Sequence, residues 1–151
     1  MSPELPTAPR GGQYCTFLID GLLFGVAASR VQEVLKPQEL TPVPRAPRAV
    51  SGLLNLRGEI VTALDVRTRL GLPQREGGRP SMNVVLRDEG GAVSLLVDEI
   101  GEVLDADEAS FEPPPQTLRG PFRDLLSGTY KLDGRLLLVL DVDLTISPQH
   151  L

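Results

Sequence analysis

Ser51-Gly52-Leu53-Leu54-Asn55-Leu56-Arg57-Gly58-Glu59-Ile60-Val61-Thr62-Ala63-Leu64-Asp65-Val66 returns 76 positions later as Ser127-Gly128-Thr129-Tyr130-Lys131-Leu132-Asp133-Gly134-Arg135-Leu136-Leu137-Leu138-Val139-Leu140-Asp141-Val142, without a gap. Both read as a strand, a tight turn closing on glycine, and an apolar strand ending in Leu-Asp-Val. A second echo lies upstream, shifted by 69 positions: Phe24, Val26, Ala28, Val31, Glu33, Val34 and Leu35 fall on Val93, Leu95, Val97, Ile100, Glu102, Val103 and Leu104. Self-similarity of this kind marks a duplicated small β-unit. The two copies act as internal controls. What they share is structural, and where they differ the fold leaves room for function.

Working outward, residues 13–19 alternate sides and end at Asp20-Gly21, a hairpin signal, before residues 22–26 return as a second strand. Ser29 and Gln32 resemble a capping box, and Val31, Val34 and Leu35 fall on one helical face, so a short helix is expected there, stopped by Pro37. Pro42, Pro44 and Pro47 make a stiff connector that cannot join the interior of a sheet. Asp65 is placed to cap a turn of helix running to Leu70 and ended by Gly71 and Pro73. Residues 74–81 read as an exposed loop between the units. Residues 83–86 and 93–97 then form strands about a turn at Glu89-Gly90-Gly91, and Pro113-Pro114-Pro115 takes the place of the first proline connector. Short strands, glycine turns and little helix predict an all-β chain with minor α content: two small five-stranded barrels of the SH3-like or OB-like kind, joined by short helices. The expected organisation is a flexible N-terminal arm over residues 1–12, one domain over 13–146, and a tail over 147–151. Within the domain, subdomain one falls mainly in 13–72 and subdomain two mainly in 82–146; strand exchange between them is left open.

The chain has 151 residues, 41% of them apolar and 23% charged, with net charge −5. That length buries roughly 70% of the unfolded surface, enough for a real core. The charge has the wrong sign for nucleic acid. With four phenylalanines, two tyrosines and no tryptophan, there is little for a single strand to stack on. No window approaches the roughly 20 apolar residues that span a bilayer, and no secretory signal opens the chain, so the cytoplasm is the expected compartment, without direct membrane insertion. Met1 with its arm, and an end just after the last strand, read as a complete chain.

Chemistry is sparse. The lone histidine, His150, is penultimate, a poor place for a catalytic base. The lone cysteine, Cys15, shares a strand face with Phe17 and Ile19 and reads as a buried structural thiol. No histidine–cysteine set exists for zinc, and no phosphate loop or GxGxxG fingerprint is present. Asp98-Glu99 and Asp105-Ala106-Asp107-Glu108 lack EF-hand spacing and read as a solvated acidic rim. No enzyme, no cofactor and no metal are expected.

The copies disagree at the turn. Copy two carries Asp133-Gly134, an ordinary turn pair, and copy one carries Arg57-Gly58. The fold therefore does not dictate arginine. A planar cation with five donors at a rigid turn tip is either a solvated surface residue or a partner-binding one.

Here the residues carry a resemblance. Val31-Gln32-Glu33-Val34, the proline connector, Gly52-Leu53-Leu54-Asn55-Leu56-Arg57-Gly58-Glu59-Ile60-Val61 and Leu64-Asp65-Val66-Arg67 resemble the CheW family, as do Leu96-Val97-Asp98-Glu99-Ile100 and the closing Leu140-Asp141-Val142. The likeness runs over residues 13–146. It implies a non-catalytic adaptor of two five-stranded barrel subdomains, coupling the cytoplasmic tips of methyl-accepting chemoreceptors to the regulatory domain of a CheA-type histidine kinase, within membrane-associated receptor arrays. It implies receptor contacts at positions matching Val31, Gly52 and Arg57, and Glu33, Asn55 and Gly58 belong to the same elements. For the kinase no motif is as sharp; the candidates from the residues are Val43, Phe111, Pro113 and Pro115, apolar and proline positions beside each barrel. Three alternatives stay open: a CheW-like paralogue serving gliding, pili or cyclic-di-GMP signalling, a piece of a larger kinase or fusion, and an OB-like nucleic-acid binder.

Overall fold

The computed structural model describes residues 12–147. The expected arm, apart from Gly12, and the tail with His150, apart from Ser147, lie outside the described residues. Strands β1 (Gly12–Ile19) and β2 (Leu22–Ala27) form a hairpin about Asp20-Gly21. Both turn residues sit at positive φ, 56° and 77°, the conformation that matches the twist of a two-residue hairpin. Next come β3 (Val31–Leu35), β4 (Val50–Leu56), β5 (Glu59–Asp65) and the short helix α1 (Val66–Leu70). The second half follows with β6 (Met82–Asp88), β7 (Gly91–Val97), β8 (Glu99–Ala106), the two-residue β9 (Phe111–Glu112), α2 (Gly120–Asp124), β10 (Leu126–Leu132), β11 (Arg135–Leu140) and α3 (Val142–Ile146).

The duplication is visible in the pairing. One sheet has the order β8-β1-β2-β11-β10-β9 and the other β3-β6-β7-β5-β4. Moving strands by the two sequence shifts turns the second order into the first, with β9 as an addition. The register agrees in detail: β4 bulges between Val50 and Gly52 against β5, and β10 bulges between Leu126 and Gly128 against β11. Asp65 and Asp141 each accept a hydrogen bond from the backbone N–H three residues on, Thr68 and Leu144, and so start α1 and α3 alike. Each sheet draws strands from both halves of the chain, which is the strand exchange left open between 13–72 and 82–146. β1 and β2 sit in the sheet of β10 and β11, while β3, β4 and β5 sit in that of β6 and β7.

Three apolar clusters follow from this exchange. Tyr14, Leu23, Tyr130, Leu137 and Val139 fill the first unit, and Leu54, Leu56, Val61, Ala63, Val85 and Ala92 the second. Between them lies the largest cluster, built by both sheets from Phe17, Phe24, Val26, Leu64, Val84, Leu95, Leu138, Val142 and their neighbours. Polar ties cross the same boundary. Arg69 on α1 donates to the carbonyls of Leu144 and Thr145 at the end of α3, at 2.7 and 3.0 Å. Arg67 on α1 grips Asp98 through two donors, Nε at 3.2 Å and Nη2 at 2.7 Å, while Asp98 also accepts the Asp20 N–H at 2.8 Å. Asp98 stands between β7 of one sheet and β8 of the other. It is therefore a clamp, not part of the solvated rim expected of it.

The helix expected over residues 31–35 is strand β3, entered by a single tight turn at Ala28–Arg30. A bulge between Val31 and Glu33 explains the misleading spacing. It lets Val31 pack on the central cluster and Leu35 on that of the second unit. Val34, which a helical face would have buried, is 46% exposed. Cys15 is half-buried against the central cluster, and burial raises its thiol pKa above the ordinary value.

Candidate functional site

The β4–β5 turn is where the candidate residues converge. Leu56 pairs with Glu59, leaving Arg57 and Gly58 as a two-residue loop, at φ 52° and 89°. Asn55 accepts the Gly58 N–H through Oδ1 at 2.8 Å and braces the loop from below. Asp133 is not among the residues at positive φ, although Gly134 is, at 81°, so the two copies turn differently. The internal match to Arg57-Gly58 is instead Asp20-Gly21, which holds the same left-handed pair. Left-handed backbone is uncommon for arginine and much easier for aspartate, so the turn spends conformational energy to present this side chain.

Arg57 reaches Glu33 on β3, with Nη2 at 2.6 Å from Oε2 and 2.9 Å from Oε1. In the sheet order β3 and β4 are opposite edges, so this ion pair spans the mouth of a sheet curled on itself. The hydrogen bond from Arg57 lowers the pKa of Glu33, and the same bond keeps Arg57 protonated. The Arg57 side chain is nevertheless 66% exposed. Only Nη2 is engaged; Nη1 and Nε have no partner among the described residues.

Of the other receptor candidates, Val31 lies two residues before Glu33, half-buried against the central cluster. Gly52 is elsewhere, about 17 Å along β4 from Arg57. There the proline connector crosses the sheet edge: Thr41 and Leu53 exchange two backbone hydrogen bonds of 2.8 Å. A Cβ on Gly52, at φ 156°, would stand 2.7 Å from the Thr41 carbonyl oxygen. Its counterpart Gly128 does the same for β9, where a Cβ would run into the Phe111 ring and stand 2.7 Å from the Glu112 carbonyl oxygen. Close backbone approach accounts for both glycines.

Among the kinase candidates, Val43 on the connector is 38% exposed, and Pro113 is exposed. Pro115 is half-buried and, with Leu22, Leu118, Phe122 and Leu136, lines an apolar groove of about 310 Å³ beside the first sheet. Phe111 departs from expectation. Its ring packs edge-on against Tyr130 at 5.1 Å and covers Gly128, so it is a packing element and not a presented surface. Sequence reasoning assigns no role to Glu59, Arg67 or Arg87, and gives Asp98 only that of a solvated rim. The signal was available in the copies, since Arg67 falls on Asp143, Asp98 on Ser29 and Arg87 on Leu18. Among the described residues no cluster of histidine, cysteine or acidic side chains could hold a metal ion, and no helix is long and apolar enough to cross a membrane.

Twin exchanged β-units around a shared core, with an arginine displayed on a braced turn, define a double β-unit domain built for display at its turns. A family model described as the CheW-like domain matches residues 13–149, and the chain belongs to that family. The chemotaxis protein CheW of Treponema pallidum is 29% identical over 143 residues, covering 92% of this chain and 84% of that one. The CheW of Thermotoga maritima is 30% identical over 128 residues, covering 85% and 83%. The crystal structure of the scaffolding protein TtCheW from Thermoanaerobacter tengcongensis superposes with a TM-score of 0.81 at 26% identity, covering 93% of this chain and 97% of that one.

Proposed function

We propose that this protein is a non-catalytic adaptor of the cytoplasm that joins the tips of methyl-accepting chemoreceptors to the regulatory domain of a CheA-type histidine kinase. The receptor face is the Arg57 turn with Glu33, Asn55, Gly58 and the adjoining Val31. The kinase side is formed by the two proline connectors, at Val43 and at Pro113 and Pro115, with the apolar groove next to Pro115. The observation that carries the reading is the state of Arg57. It is held in left-handed backbone, anchored through one nitrogen, and left with its remaining donors in solvent. A solvated arginine needs none of that arrangement, whereas a recognition residue gains from being pre-oriented. Each contact is modest, and several acting together supply avidity in an array.

The substitution Arg57→Asp tests this. Asp20 shows that aspartate fits the same turn, so folding stability should stay within about 0.5 kcal/mol. A hot-spot arginine is worth roughly 2 kcal/mol or more, so affinity for a receptor cytoplasmic fragment should fall at least about 30-fold. Affinity for the kinase regulatory domain should change far less. Unaltered receptor binding by a folded variant returns Arg57 to an ordinary surface residue.

A further inference from the structure

The Glu33–Arg57 pair belongs to a longer row. Arg87 on β6 donates from Nη2 to Glu59 Oε1 at 3.1 Å and from Nε to Gln32 Oε1 at 2.8 Å. Glu59 in turn adds to the field that keeps Arg57 charged. Glu33, Glu59 and Arg87 stand across from Val85, Leu56 and Ala92, all members of the second unit's core. Charge thus alternates around one end of that core: Glu33, Arg57, Glu59, Arg87.

Such a row could serve only to seal the core from water. The duplicated unit tests that explanation. By the same two shifts, the corresponding positions in the first unit are Glu102, Asp133, Arg135 and Leu18. The register supports the match: Leu18 stands across from Leu23 as Arg87 does from Ala92, and Arg135 across from Leu132 as Glu59 does from Leu56. None of these four makes an ion pair among the described residues. Leu18 packs on its own core with an apolar side chain. Sealing one end of such a unit therefore needs no ions, and the lacing around Arg57 exceeds what the fold requires.

We infer that Glu59 and Arg87 are positioning residues of the partner face: Arg87 fixes Glu59 at the foot of the Arg57 turn, where it pairs with Leu56, Glu33 holds the Arg57 guanidinium through Nη2, and its unengaged donors receive a carboxylate of the receptor tip. This rests on the reading of the Arg57 turn as the receptor face. Because the row is internally neutral, an acidic partner side chain meets it without displacing an existing pair. The docking is then specified by geometry at Arg57 and not by a broad positive field.

The experiment is a double-mutant cycle with Arg57→Asp and Arg87→Leu, the latter copying Leu18. The probe is the purified cytoplasmic fragment of a methyl-accepting chemoreceptor from the same genome, titrated calorimetrically into each full-length variant. Arg87→Leu should weaken binding about tenfold in the wild-type background and have almost no effect in Arg57→Asp, with melting temperatures unchanged. Arg87→Lys, which keeps a charge beside Glu59, should recover part of the loss. If Arg57→Asp binds normally, the receptor-face reading itself fails. If Arg57→Asp is weakened but Arg87→Leu binds as wild type, or loses equally in both backgrounds, the positioning role is overturned while that reading survives. An Arg87→Leu protein that unfolds makes the row structural and overturns it too. For the carboxylate, Arg57→Glu should be rescued by one acidic-to-lysine exchange in the fragment, and a complete scan without rescue refutes that part.

Discussion

Asp98→Ala removes the side chain that both sheets lean on. Arg67 loses both of its bonds to the carboxylate and keeps only the Pro73 carbonyl at 2.8 Å, with the Asp20 carboxylate 3.7 Å away. The Asp20 N–H loses its acceptor as well. The side chains of Arg67 and Asp98 are 11% and 13% exposed, so solvent replaces little of this. Breaking a buried pair costs about 3–5 kcal/mol; the remaining exposure and the nearby Asp20 bring the expectation to about 3 kcal/mol. For a domain of this size that is a fall in melting temperature of roughly 6–12 °C. Urea denaturation of Asp98→Ala, Arg67→Leu and the double variant should show the second change costing much less once the first is made. The pH dependence has a defined sign. Burial raises the Asp98 pKa, but the Arg67 and Asp20 hydrogen bonds and the fields of Arg67 and Arg75 outweigh it, so the folded value lies below the ordinary one. The stabilisation is therefore complete above the unfolded carboxyl pKa of about 4, and is lost as pH falls through the folded value. The gap between wild type and Asp98→Ala should be flat near neutrality and close in acid. A loss below about 1 kcal/mol at neutral pH, or a gap that widens in acid, refutes the clamp.

Two further outcomes are expected. Gly52→Ala and Gly128→Ala should each destabilise by about 2 kcal/mol or more, because the added methyl meets the Thr41 carbonyl in one case and the Phe111 ring and Glu112 carbonyl in the other. Matching losses in denaturant would show that Gly52 is held by the connector, and a stable Gly52→Ala that fails to bind receptor would reassign it to recognition. Cys15 should react with iodoacetamide more slowly than a free thiol at pH 8, since burial raises its pKa and the residue is half-buried against the central cluster; labelling at the free-thiol rate contradicts that packing.

The duplication, the turns and the capped helices were legible in the sequence because each rests on local chemistry. Asp65 and Asp141 announce their helices by side chains that reach only three residues, and Asp20-Gly21 needs only its own dihedral angles. Strand β3 was misread because its bulge breaks the two-residue period that identifies strands, and five residues are too few to restore it. The candidate site was half visible. Arg57 stood out from its counterpart Asp133, but the partner that orients it, Glu33, lies on the far edge of the same sheet.

Sequence alone determined that this is a doubled β-protein of the CheW family with an unusual arginine on one turn, since repeats, motifs and turn residues are properties of neighbours along the chain. Only the tertiary structure decided which strands pair. Alternation of apolar residues records which face is buried, not against which strand, so contiguous and exchanged units satisfy it equally. The exchange placed Asp98 between the sheets, curled β3 toward the β4–β5 turn, and brought Glu33, Glu59 and Arg87 to one rim around Arg57. These are contacts between distant positions, fixed by the packing of two units around one core, and no local pattern encodes them.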